Sequence, residues 1–485
     1  MNIQDNLSQY VSNLDKNVYT VFNLPEEVIA TVFAYVSRSP NSFRDNLLRV
    51  TEEKAKTFHE KWVLNYGHAS VAELATVHIG IEKVSRLFSA ILERSNLYIS
   101  PIEYSQRYQK PKQGDFYIPV ELRDPEHSSL KKEYIDFQNS IYDDYVNIFN
   151  LLLNDYRKNE SQKENENDKT YKSRIEKSSF EDARYILTLA TLTNLGVTAN
   201  ARAIEDTLIY LLSNEYPEVR QKGLEIKEEV IHSLPTLVKY AKDNLFLIES
   251  RNSLQDELKS LYGNYNQDIT NQITLLDFTG KESNNPEEEV INIVLSEMLY
   301  QYGNNSLSFL KNSLNKENME LKLKLFNRIL SKLGSHDNPP STFEKISYKF
   351  ELNISESCWH QFLRHRKINF VWQYPSVDNG FIVPAKIKNT KAKDIFEISI
   401  IKSNNMFKKL EAISSLTAHY VVTNAHKRCV TAEFSLWELY HLINLRMTPH
   451  AQWEIQNMMM EMVNQIKNYH PNLIQPALDR LSRRL

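Results

Sequence analysis

Hydrophobic residues recur at helical spacing over much of the chain. Leu439, Leu442, Ile443 and Arg446 fall at positions i, i+3, i+4 and i+7, which places them on one face of a predicted helix. An arginine on an apolar face needs a partner, so Arg446 predicts either a buried carboxylate or a ligand beside it. The next predicted helix carries its apolar face on Ile455, Met459, Met462 and Ile466. A methionine stripe at this spacing indicates core packing.

The same order of patterns occurs twice along the chain. A strand-like apolar run at residues 18–22 precedes residues 25–29 (PEEVI), and a similar run at 273–276 precedes residues 286–291 (PEEEVI). Proline and acidic residues favour the first turn of a helix, so each of the two later segments predicts a helix start.

A second pair of segments keeps this order. Residues 70–73 (SVAE) lead through an alternating apolar stretch to Arg94, and residues 341–344 (STFE) lead to Arg364 at almost the same spacing. Such ordered self-similarity indicates an internal duplication.

The duplication defines the predicted domains. We place the repeats at residues 1–262 and 263–485, separated within a polar stretch at 260–272, and expect a pseudo-two-fold axis between them. Each repeat is predicted as a helix-rich α+β domain around a small mixed sheet. Residues 154–179 of the first repeat are charged and nearly free of apolar side chains, which predicts a mobile surface insertion.

Composition narrows the function classes. The chain has 485 residues, of which 41% are hydrophobic, enough for two domains with their own cores. A net charge of −3 gives no general attraction to nucleic acid. Two cysteines cannot form a disulfide framework, and no apolar run reaches the length of about 18 residues that a membrane span requires. With a polar N-terminus as well, we expect a cytoplasmic protein without nucleic-acid or membrane partners.

The strongest chemical pattern is residues 361–366 (QFLRHR). On a helix Gln361 and Arg364 share a face, so an amide and a guanidinium could grip one planar ligand. Arg364, His365 and Arg366 at a helix end could hold an anion or the electron-rich edge of a flavin. A solvated basic turn is the alternative.

Two further segments carry candidate chemistry. In an extended segment Glu103, Ser105 and Arg107 would point the same way, which suits a phosphate-bearing ligand; a half-exposed strand is the alternative. Residues 198–202 (TANAR) interrupt an apolar run with polar groups.

These motifs resemble the flavin-dependent thymidylate synthases, whose signature is Arg-His-Arg-x-x-Ser-x-Asn-x-x-Ser-x-Arg. The matching segments of the first repeat are residues 67–73 (GHASVAE), 103–108 (EYSQRY), 183–184 (AR) and 200–202 (NAR). Those of the second repeat are residues 361–366, 444–446 (NLR) and 451–455 (AQWEI). The resemblance covers most of the chain.

The departures from the signature are complementary. In the first repeat Arg-His-Arg has become Arg94-Ser95-Asn96, and the late arginine falls at Leu211. In the second repeat the signature tail ends at Ser376 instead of arginine, and the Ala-Arg arginine falls at His419. In the family, two subunits share each active site. The resemblance therefore implies one composite site built from both repeats, and a second site that has lost its function.

The resemblance implies reductive methylation of dUMP to dTMP, with FAD as cofactor and NADPH and methylenetetrahydrofolate as co-substrates. It implies no metal, and a homodimer that forms a four-repeat assembly. The expected dUMP site comprises Gln361, Arg364, Glu103, Ser105, Gln106, Arg107, Arg184 and the catalytic Arg446. The expected FAD site comprises Ser70, Ser341, Arg364, His365, Arg366, Glu103, Asn200 and Arg202.

Other functions stay open at this point. Asn369, Val371 and Tyr374 depart from the signature and could reshape the pocket for a different flavin-dependent modification of a pyrimidine nucleotide. A non-catalytic nucleotide-binding paralogue is the other alternative, because a fold does not guarantee a function. Cys358 lies one turn before the basic motif, but without an activating base we expect a buried structural cysteine and no thiolate nucleophile.

Overall fold

A computed structural model describes residues 7–37, 39–263 and 273–484. The predicted boundary between the repeats therefore falls largely on residues outside the described ranges, and it stays a prediction. The chain forms two compact units that do not coincide with the two halves of the sequence. Unit 1 consists of Met1–Asn147, Leu187–Asn266 and Ile401–Val421, and unit 2 of Ile148–Ile186, Gln267–Ile400 and Val422–Leu485. Each unit thus takes one segment from the other half.

The first half of the chain is mostly helical, with three strands. Its elements are α1 (Glu26–Tyr35), α2 (Phe43–Leu47), α3 (Glu52–His59), β1 (Thr76–Ser85), α4 (Arg86–Glu93), β2 (Ser100–Glu103), α5 (Ser128–Asn159), α6 (Asp168–Ala183), β3 (Leu192–Asn200), α7 (Ala201–Leu212), α8 (Pro217–Val230) and α9 (Leu245–Tyr262). A π-helical turn (Glu60–Asn65) and short 3-10 turns lie between them, and those used below are Ala69–Leu74 and Arg184–Ile186.

The second half follows the same order, with one more strand at its start and one more short helix before its last strand. Its elements are β4 (Ile273–Phe278), α10 (Pro286–Tyr302), α11 (Leu307–Leu314), α12 (Met319–Leu330), β5 (Ser347–Ser355), α13 (Glu356–Phe362), β6 (Asn369–Trp372), α14 (Ala385–Lys388), α15 (Ala392–Glu411), α16 (Ser415–Ala418), β7 (Lys427–Ser435), α17 (Leu436–Arg446), α18 (Trp453–Lys467) and α19 (Pro471–Ser482). The 3-10 turns Ser341–Lys345 and His419–Val421 correspond to the two named in the first half.

Both sheets are antiparallel, so the prediction of a mixed sheet is wrong. Unit 1 has the strand order β1-β3-β2, and unit 2 has the order β4-β5-β7-β6. β1 and β2 run in the same direction, but β3 lies between them and pairs antiparallel with both. The same holds for β5 and β6 around β7. Strands of equal direction are therefore never neighbours.

The two strand-like runs differ in outcome. Residues 273–276 lie in β4, as predicted. Residues 18–22 do not form a strand of the sheet, so that prediction is wrong: they contain only an isolated bridge between Val21 and Val11. The run closes a local loop instead, and Tyr19 and Val21 pack against a small core that includes Val11 and Leu7.

The prediction of a mobile loop at residues 154–179 is also wrong. Its first residues end α5 and its last twelve lie in α6, with only residues 160–167 between the helices. Lysine and glutamate are good helix formers, so a charged segment need not be irregular. Arg174 ties the connecting loop to α6 through ion pairs with Glu160 (2.6 Å) and Glu166 (2.8 Å).

The core confirms the predicted helix faces. Leu439, Leu442 and Ile443 on α17 are fully buried. The predicted face of α18 is likewise buried at Ile455, Met459, Met462 and Ile466, which confirms core packing for the methionine stripe. None of the described helices is long and apolar enough to cross a membrane.

Candidate active site

The basic motif of unit 2 follows a short buried helix. Ser355 ends β5 and caps α13, since its hydroxyl accepts a hydrogen bond from the N–H of Cys358 in the first turn of the helix. The helix ends at Phe362, so Arg364 lies in the turn beyond it, where its Nε donates to the carbonyl oxygen of His360 at 3.1 Å. The three basic residues therefore stand at a helix end, as predicted, with Arg364 and Arg366 exposed and His365 buried.

Gln361 points its amide into the interior of unit 2. Its Nε2 donates to the carbonyl oxygen of Ser357 at 3.0 Å and to Oε1 of Gln452 at 3.3 Å. Its Oε1 is buried and has no hydrogen-bond partner among the described residues. A buried acceptor without a partner is costly, so this atom is suited to a donor on a ligand.

Arg446 ends α17 beside this motif. Its Nε donates to Nε2 of His365 at 2.9 Å, and its Nη2 donates to the carbonyl oxygen of Gln361 at 3.1 Å. The sequence predicted a carboxylate or a ligand as the partner, whereas these two contacts are to an imidazole nitrogen and a carbonyl. A carboxylate contacts the other side of the imidazole: Nδ1 of His365 lies 3.2 Å from Oε1 of Glu438.

The protonation of His365 follows from these contacts. Its Nε2 accepts from an arginine that cannot give up its proton, so the ring proton belongs on Nδ1, which donates to Glu438. Burial and the charge of Arg446 hold the pKa of His365 well below its ordinary value. Burial raises the pKa of Glu438 to about 7. Glu438, a neutral His365 and Arg446 thus form a chain that fixes the guanidinium.

Arg184 reaches unit 2 from the first half of the sequence. The 3-10 turn Arg184–Ile186 is part of this unit, and the Arg184 side chain is buried. Its carbonyl oxygen accepts from Nδ2 of Asn424 at 2.9 Å. Its Nε donates to the carbonyl oxygen of Glu181 at 3.3 Å.

Tyr185 connects this turn to the basic motif. Its hydroxyl accepts from Nε2 of Gln452 at 2.7 Å and donates to Oε2 of Glu454 at 2.6 Å. Gln452 is the residue that contacts Gln361, and its Oε1 also caps α18. Trp453 stacks on the Tyr185 ring with centroids 5.7 Å apart. One hydrogen-bonded network therefore joins residues of both repeats.

Cys358 lies inside this network but is not activated. Burial, followed by the charge of Glu454, raises the pKa of its thiol well above the ordinary value, although Arg446 and Arg184 oppose the shift. Its Sγ lies 3.9 Å from Sδ of Met458. The expectation of a buried structural cysteine is confirmed.

The segment after β2 differs from its prediction. The strand ends at Glu103, and residues 105–108 form a turn in which the Ser105 hydroxyl accepts from the N–H of Arg107 at 3.3 Å. The alternation expected of an extended segment is therefore wrong, because a serine that bonds the backbone two residues on favours a turn. Glu103 is buried, with its carboxylate bonded to Arg86 (2.7 Å) and Ser89 (2.7 Å). Gln106 is buried as well.

The remaining flavin candidates lie at element starts. Asn200 caps α7, since its Oδ1 accepts from the N–H of Ala203 at 2.8 Å. Arg202, on the first turn, pairs with Glu73 at 2.6 Å. Ser70 and Ser341 are exposed on the corresponding 3-10 turns Ala69–Leu74 and Ser341–Lys345.

Unit 2 thus collects part of the predicted site and unit 1 the rest. The predicted site residues of unit 2 are Arg184, Ser341, Gln361, Arg364, His365, Arg366 and Arg446. Those of unit 1 are Ser70, Glu103, Ser105, Gln106, Arg107, Asn200 and Arg202. Their ligand contacts stay predictions.

Sequence reasoning missed four polar residues of unit 2, namely Tyr185, Glu438, Gln452 and Glu454. Glu438 stands three residues after Ser435, which is the spacing of a helix cap. That spacing predicts a helix start and does not show that the Glu438 side chain contacts His365. Gln452 and Glu454 belong to the AQWEI motif, which marked them as matches but gave them no role.

The same region has one group of potential metal ligands among the described residues. Atoms of His365, Glu438 and His441 lie within 4.8 Å of one another. Arg446 already donates to the other nitrogen of His365, and its positive charge opposes a cation there. We assign no metal to this group.

Unit 1 has an equivalent scaffold with different polar residues. Glu218 accepts from the N–H of Ser85 (2.9 Å), from its hydroxyl (2.6 Å) and from the hydroxyl of Tyr420 (2.9 Å). His419 precedes Tyr420 and contacts the hydroxyl of Tyr216 at 2.6 Å. Leu211, at the position of Arg446, is fully buried.

Comparison with known proteins gives the relatives of this chain. It is 24% identical over 450 residues to a UPF0159 protein of Thermoplasma acidophilum, covering 87% of this chain and 88% of the relative. It is 23% identical to a UPF0159 protein of Chlamydia muridarum, covering 96% and 93%. A flavin-dependent thymidylate synthase of Clostridium tetani is 30% identical over 218 residues, 45% of this chain and 82% of that protein.

A single family model matches the chain twice. The model of the thymidylate synthase complementing protein family covers residues 18–236 and again residues 280–472. Two matches in sequence agree with the internal duplication and together span most of the chain. The chain therefore belongs to the thymidylate synthase complementing protein family.

Proposed function

We propose that this protein is a flavin-dependent thymidylate synthase that methylates dUMP at C5 to give dTMP, using FAD, NADPH and methylenetetrahydrofolate. We further propose that each chain has one working site, built from residues of both repeats. Support comes from the family, from relatives that are flavin-dependent thymidylate synthases, and from the network of unit 2.

One observation carries the composite site. Tyr185 belongs to the first half of the sequence, yet its hydroxyl bonds to Gln452 of the second half, which in turn bonds to Gln361. Arg184 enters unit 2 on the same turn. These contacts support the proposal that one repeat supplies the arginine for the nucleotide phosphate and the other repeat supplies the basic motif.

Arg446 has the geometry for a catalytic cation. Its guanidinium is held by His365 and by the carbonyl oxygen of Gln361, so it is fixed before substrate binds. In the proposed reaction negative charge develops on the uracil ring, and a preorganised cation stabilises such charge without reorganisation. Gln361 would hold the pyrimidine through its unpaired buried Oε1, which accepts a ring N–H.

The phosphate of dUMP needs fixed donors. Arg184 is buried in unit 2 and provides one guanidinium. We assign Ser105, Gln106 and Arg107 to the same phosphate, and arginine suits it because its donors match phosphate oxygens in pairs. We also assign Glu103 to this site, as the resemblance implies. Its bonds to Arg86 and Ser89 give it a structural role as well.

The donor set also fits a flavin dinucleotide. Arg364 and Arg366 are exposed cations on either side of the neutral His365, and Ser70, Ser341, Asn200 and Arg202 add hydroxyl, amide and guanidinium groups. Arginines suit the diphosphate, and a cation beside the isoalloxazine ring favours its anionic reduced form. When bound, FAD supplies the hydride that it takes from NADPH, and the folate supplies the carbon. The residues bind and orient these groups.

The expected assembly and location are part of this proposal. Two chains would form the four-repeat arrangement, because closed symmetric oligomers are the usual solution. The ligands would be small molecules only, and we expect the enzyme to work in the cytoplasm.

The test is an assay of the purified full chain. We expect bound flavin, and dTMP formation with NADPH oxidation only when dUMP and methylenetetrahydrofolate are both present. Nucleotide binding without flavin or turnover would instead identify a non-catalytic paralogue. Turnover of another pyrimidine nucleotide, or transfer of another group, would identify a different flavin-dependent enzyme. Either result contradicts the proposal.

A further inference from the structure

The two sheets differ at one edge. In unit 2, β4 pairs with the outer edge of β5, from Tyr348 to Leu352. In unit 1, β1 corresponds to β5, since Ser85 and Ser355 both end their strand and cap the next helix. No described strand pairs with the outer edge of β1. The sheet of unit 1 therefore lacks the counterpart of β4.

A groove lies where that strand would be. It has a volume of about 370 Å³ and is lined on one side by residues 77–82 of β1. The other side is lined by five residues of α8 and one residue beyond it, namely Lys222, Glu225, Ile226, Glu229, Val230 and Ser233. Matched through their registers with β3 and β7, residues 77–81 are the counterparts of the β5 residues that pair with β4, because β1 has a bulge between Ile81 and Val84. We call this the β1 groove. It is the position of a strand, with backbone donors and acceptors of β1 along one wall.

The corresponding helix of unit 2 shows how such a strand is held. Gln465 on α18 donates from Nε2 to the carbonyl oxygen of Ile273 at 3.0 Å, and its Oε1 accepts from the N–H of Leu275 at 2.9 Å. Counting from the helix starts, Glu229 on α8 has the place of Gln465 and lines the β1 groove. A carboxylate accepts hydrogen bonds but cannot donate, so it favours an N–H group or a basic side chain.

The described chain of the first repeat does not supply this strand. The N-cap of α10 is Asn285, and β4 begins 12 residues and ends 7 residues before it. The N-cap of α1 is Pro25, so the corresponding residues of the first repeat are 13–18 (NLDKNV). Four of these six residues are polar, and all six lie in the loop closed by the bridge between Val11 and Val21. The side chain of Asn13 bonds within that loop to the carbonyl oxygen of Val18.

The charge of the groove indicates what it binds. Glu82, Glu225 and Glu229 line it, against the single cation Lys222, which pairs with Glu225 at 2.5 Å. Ile226 and Val230 provide the apolar part of the helix wall. We propose that the β1 groove binds an extended segment of another protein, which adds to β1 as an antiparallel fourth strand. Its side chains alternate between apolar residues and at least one lysine or arginine that pairs with Glu229. Added strands bind through main-chain hydrogen bonds and take specificity from alternate side chains.

The probe is a capped peptide with the sequence of β4, in the native form ITLLDF and with lysine in place of the aspartate, ITLLKF. We expect the lysine peptide to bind the full chain at least about fivefold more tightly, with an affinity that falls as salt rises. Binding should slow hydrogen exchange at backbone amides of residues 77–81. An ITLLKF peptide with alternate backbone nitrogens methylated should not bind, because it cannot form the ladder.

A variant locates the contact. Glu229→Lys should reverse the preference between the two peptides, while Glu461→Lys, on α18 beside the filled position, should leave it unchanged. Failure of both peptides to bind, or slow exchange at residues 77–81 without peptide, would overturn the proposal. Slower hydrogen exchange confined to β5 would also overturn it, because the peptide would then have replaced β4 in unit 2. Self-association that Glu229→Lys abolishes would identify a second copy of the chain as the occupant and also contradict it.

Discussion

The two units share a buried scaffold and differ in the residues around it. In unit 2, Glu454 accepts from the N–H and hydroxyl of Ser355 and from the hydroxyl of Tyr185. In unit 1, Glu218 makes the same three bonds with Ser85 and Tyr420. In both, the tyrosine comes from the other half of the sequence. Burial raises the pKa of both carboxyl groups.

Three positions around the scaffold have diverged. Unit 2 has Arg184, Gln452 and Arg446, where unit 1 has His419, Tyr216 and Leu211 respectively. His419 and Tyr216 bond to each other, and Leu211 is core. The contacts shared by both units therefore belong to the fold, and the residues that differ are those to which chemistry can be assigned.

The largest effect is expected for Arg446→Ala. It removes a fixed cation from the place where charge develops, and the loss of one such stabiliser typically reduces turnover about a hundredfold or more. Nucleotide binding should weaken much less. The matched control is Leu211→Met in unit 1, a volume-conserving change that should leave turnover unaltered. Steady-state kinetics with both variants checks this. Equal harm from both, or none from Arg446→Ala, contradicts the assignment of the working unit.

The next effect concerns nucleotide binding. Arg107→Ala and Arg364→Ala lie in different halves, and each should weaken dUMP binding by about tenfold or more, because each removes a charge-assisted contact. Ser376→Ala is the control: Ser376 has the position of Arg107 in the second repeat, and its hydroxyl bonds to Asp378. Calorimetric titration of the folded variants measures the change. If only one arginine matters, the site is not composite.

The shared scaffold gives a matched pair of tyrosines. Tyr185→Phe and Tyr420→Phe each remove a buried hydroxyl from a carboxyl group, so both should lower the free energy of unfolding by about 1–3 kcal/mol. Only Tyr185→Phe should also raise the KM for dUMP, since Tyr185 holds Gln452 and through it Gln361. Denaturant unfolding and kinetics test both parts. A rise in KM for Tyr420→Phe would show that the two units are not divided as argued.

The smallest effect is a pH dependence that arises from a buried carboxyl group without a counterpart in unit 1. Burial raises the pKa of Asp182 to about 7, where unit 1 has Thr417. A carboxyl group that keeps its proton on folding contributes stability below pH about 4, its range in the unfolded chain, and this contribution is lost as pH rises through about 7. Asp182→Asn retains an acceptor for the Trp453 N–H, which donates to Asp182 at 2.9 Å. Its stability should fall less between pH 4 and 7 than that of the wild type. Parallel curves would contradict the shift.

Structural features that are local or periodic could be predicted from the sequence. The buried face of α17 and the methionine stripe of α18 were predicted, because helical spacing shows directly in the order of residues. The duplication was inferred for the same reason, and the family match over two segments agrees with it. Two predictions of local secondary structure were nevertheless wrong. Residues 154–179 form mostly helix despite their charge, and the turn at Ser105 replaced an expected extended segment.

The rest depends on contacts between residues far apart in the chain. Nothing near Tyr185 in sequence shows that its hydroxyl bonds to Glu454, 269 residues away. A carboxylate or a ligand was predicted beside Arg446, and its contact with the imidazole of His365 was not, since His365 lies on another element. The exchange of segments between the units was invisible for the same reason, although the complementary losses at Leu211 and His419 pointed to shared sites.

The number of nucleotide sites tests the composite site most directly. A non-reacting dUMP analogue is titrated into the purified full chain with flavin bound, and the stoichiometry is measured by calorimetry. We predict one equivalent per 485-residue chain, because only unit 2 combines Arg184, Gln361 and Arg446. Two equivalent sites per chain would show that both units still bind nucleotide, and the division between working and degenerate units would be wrong.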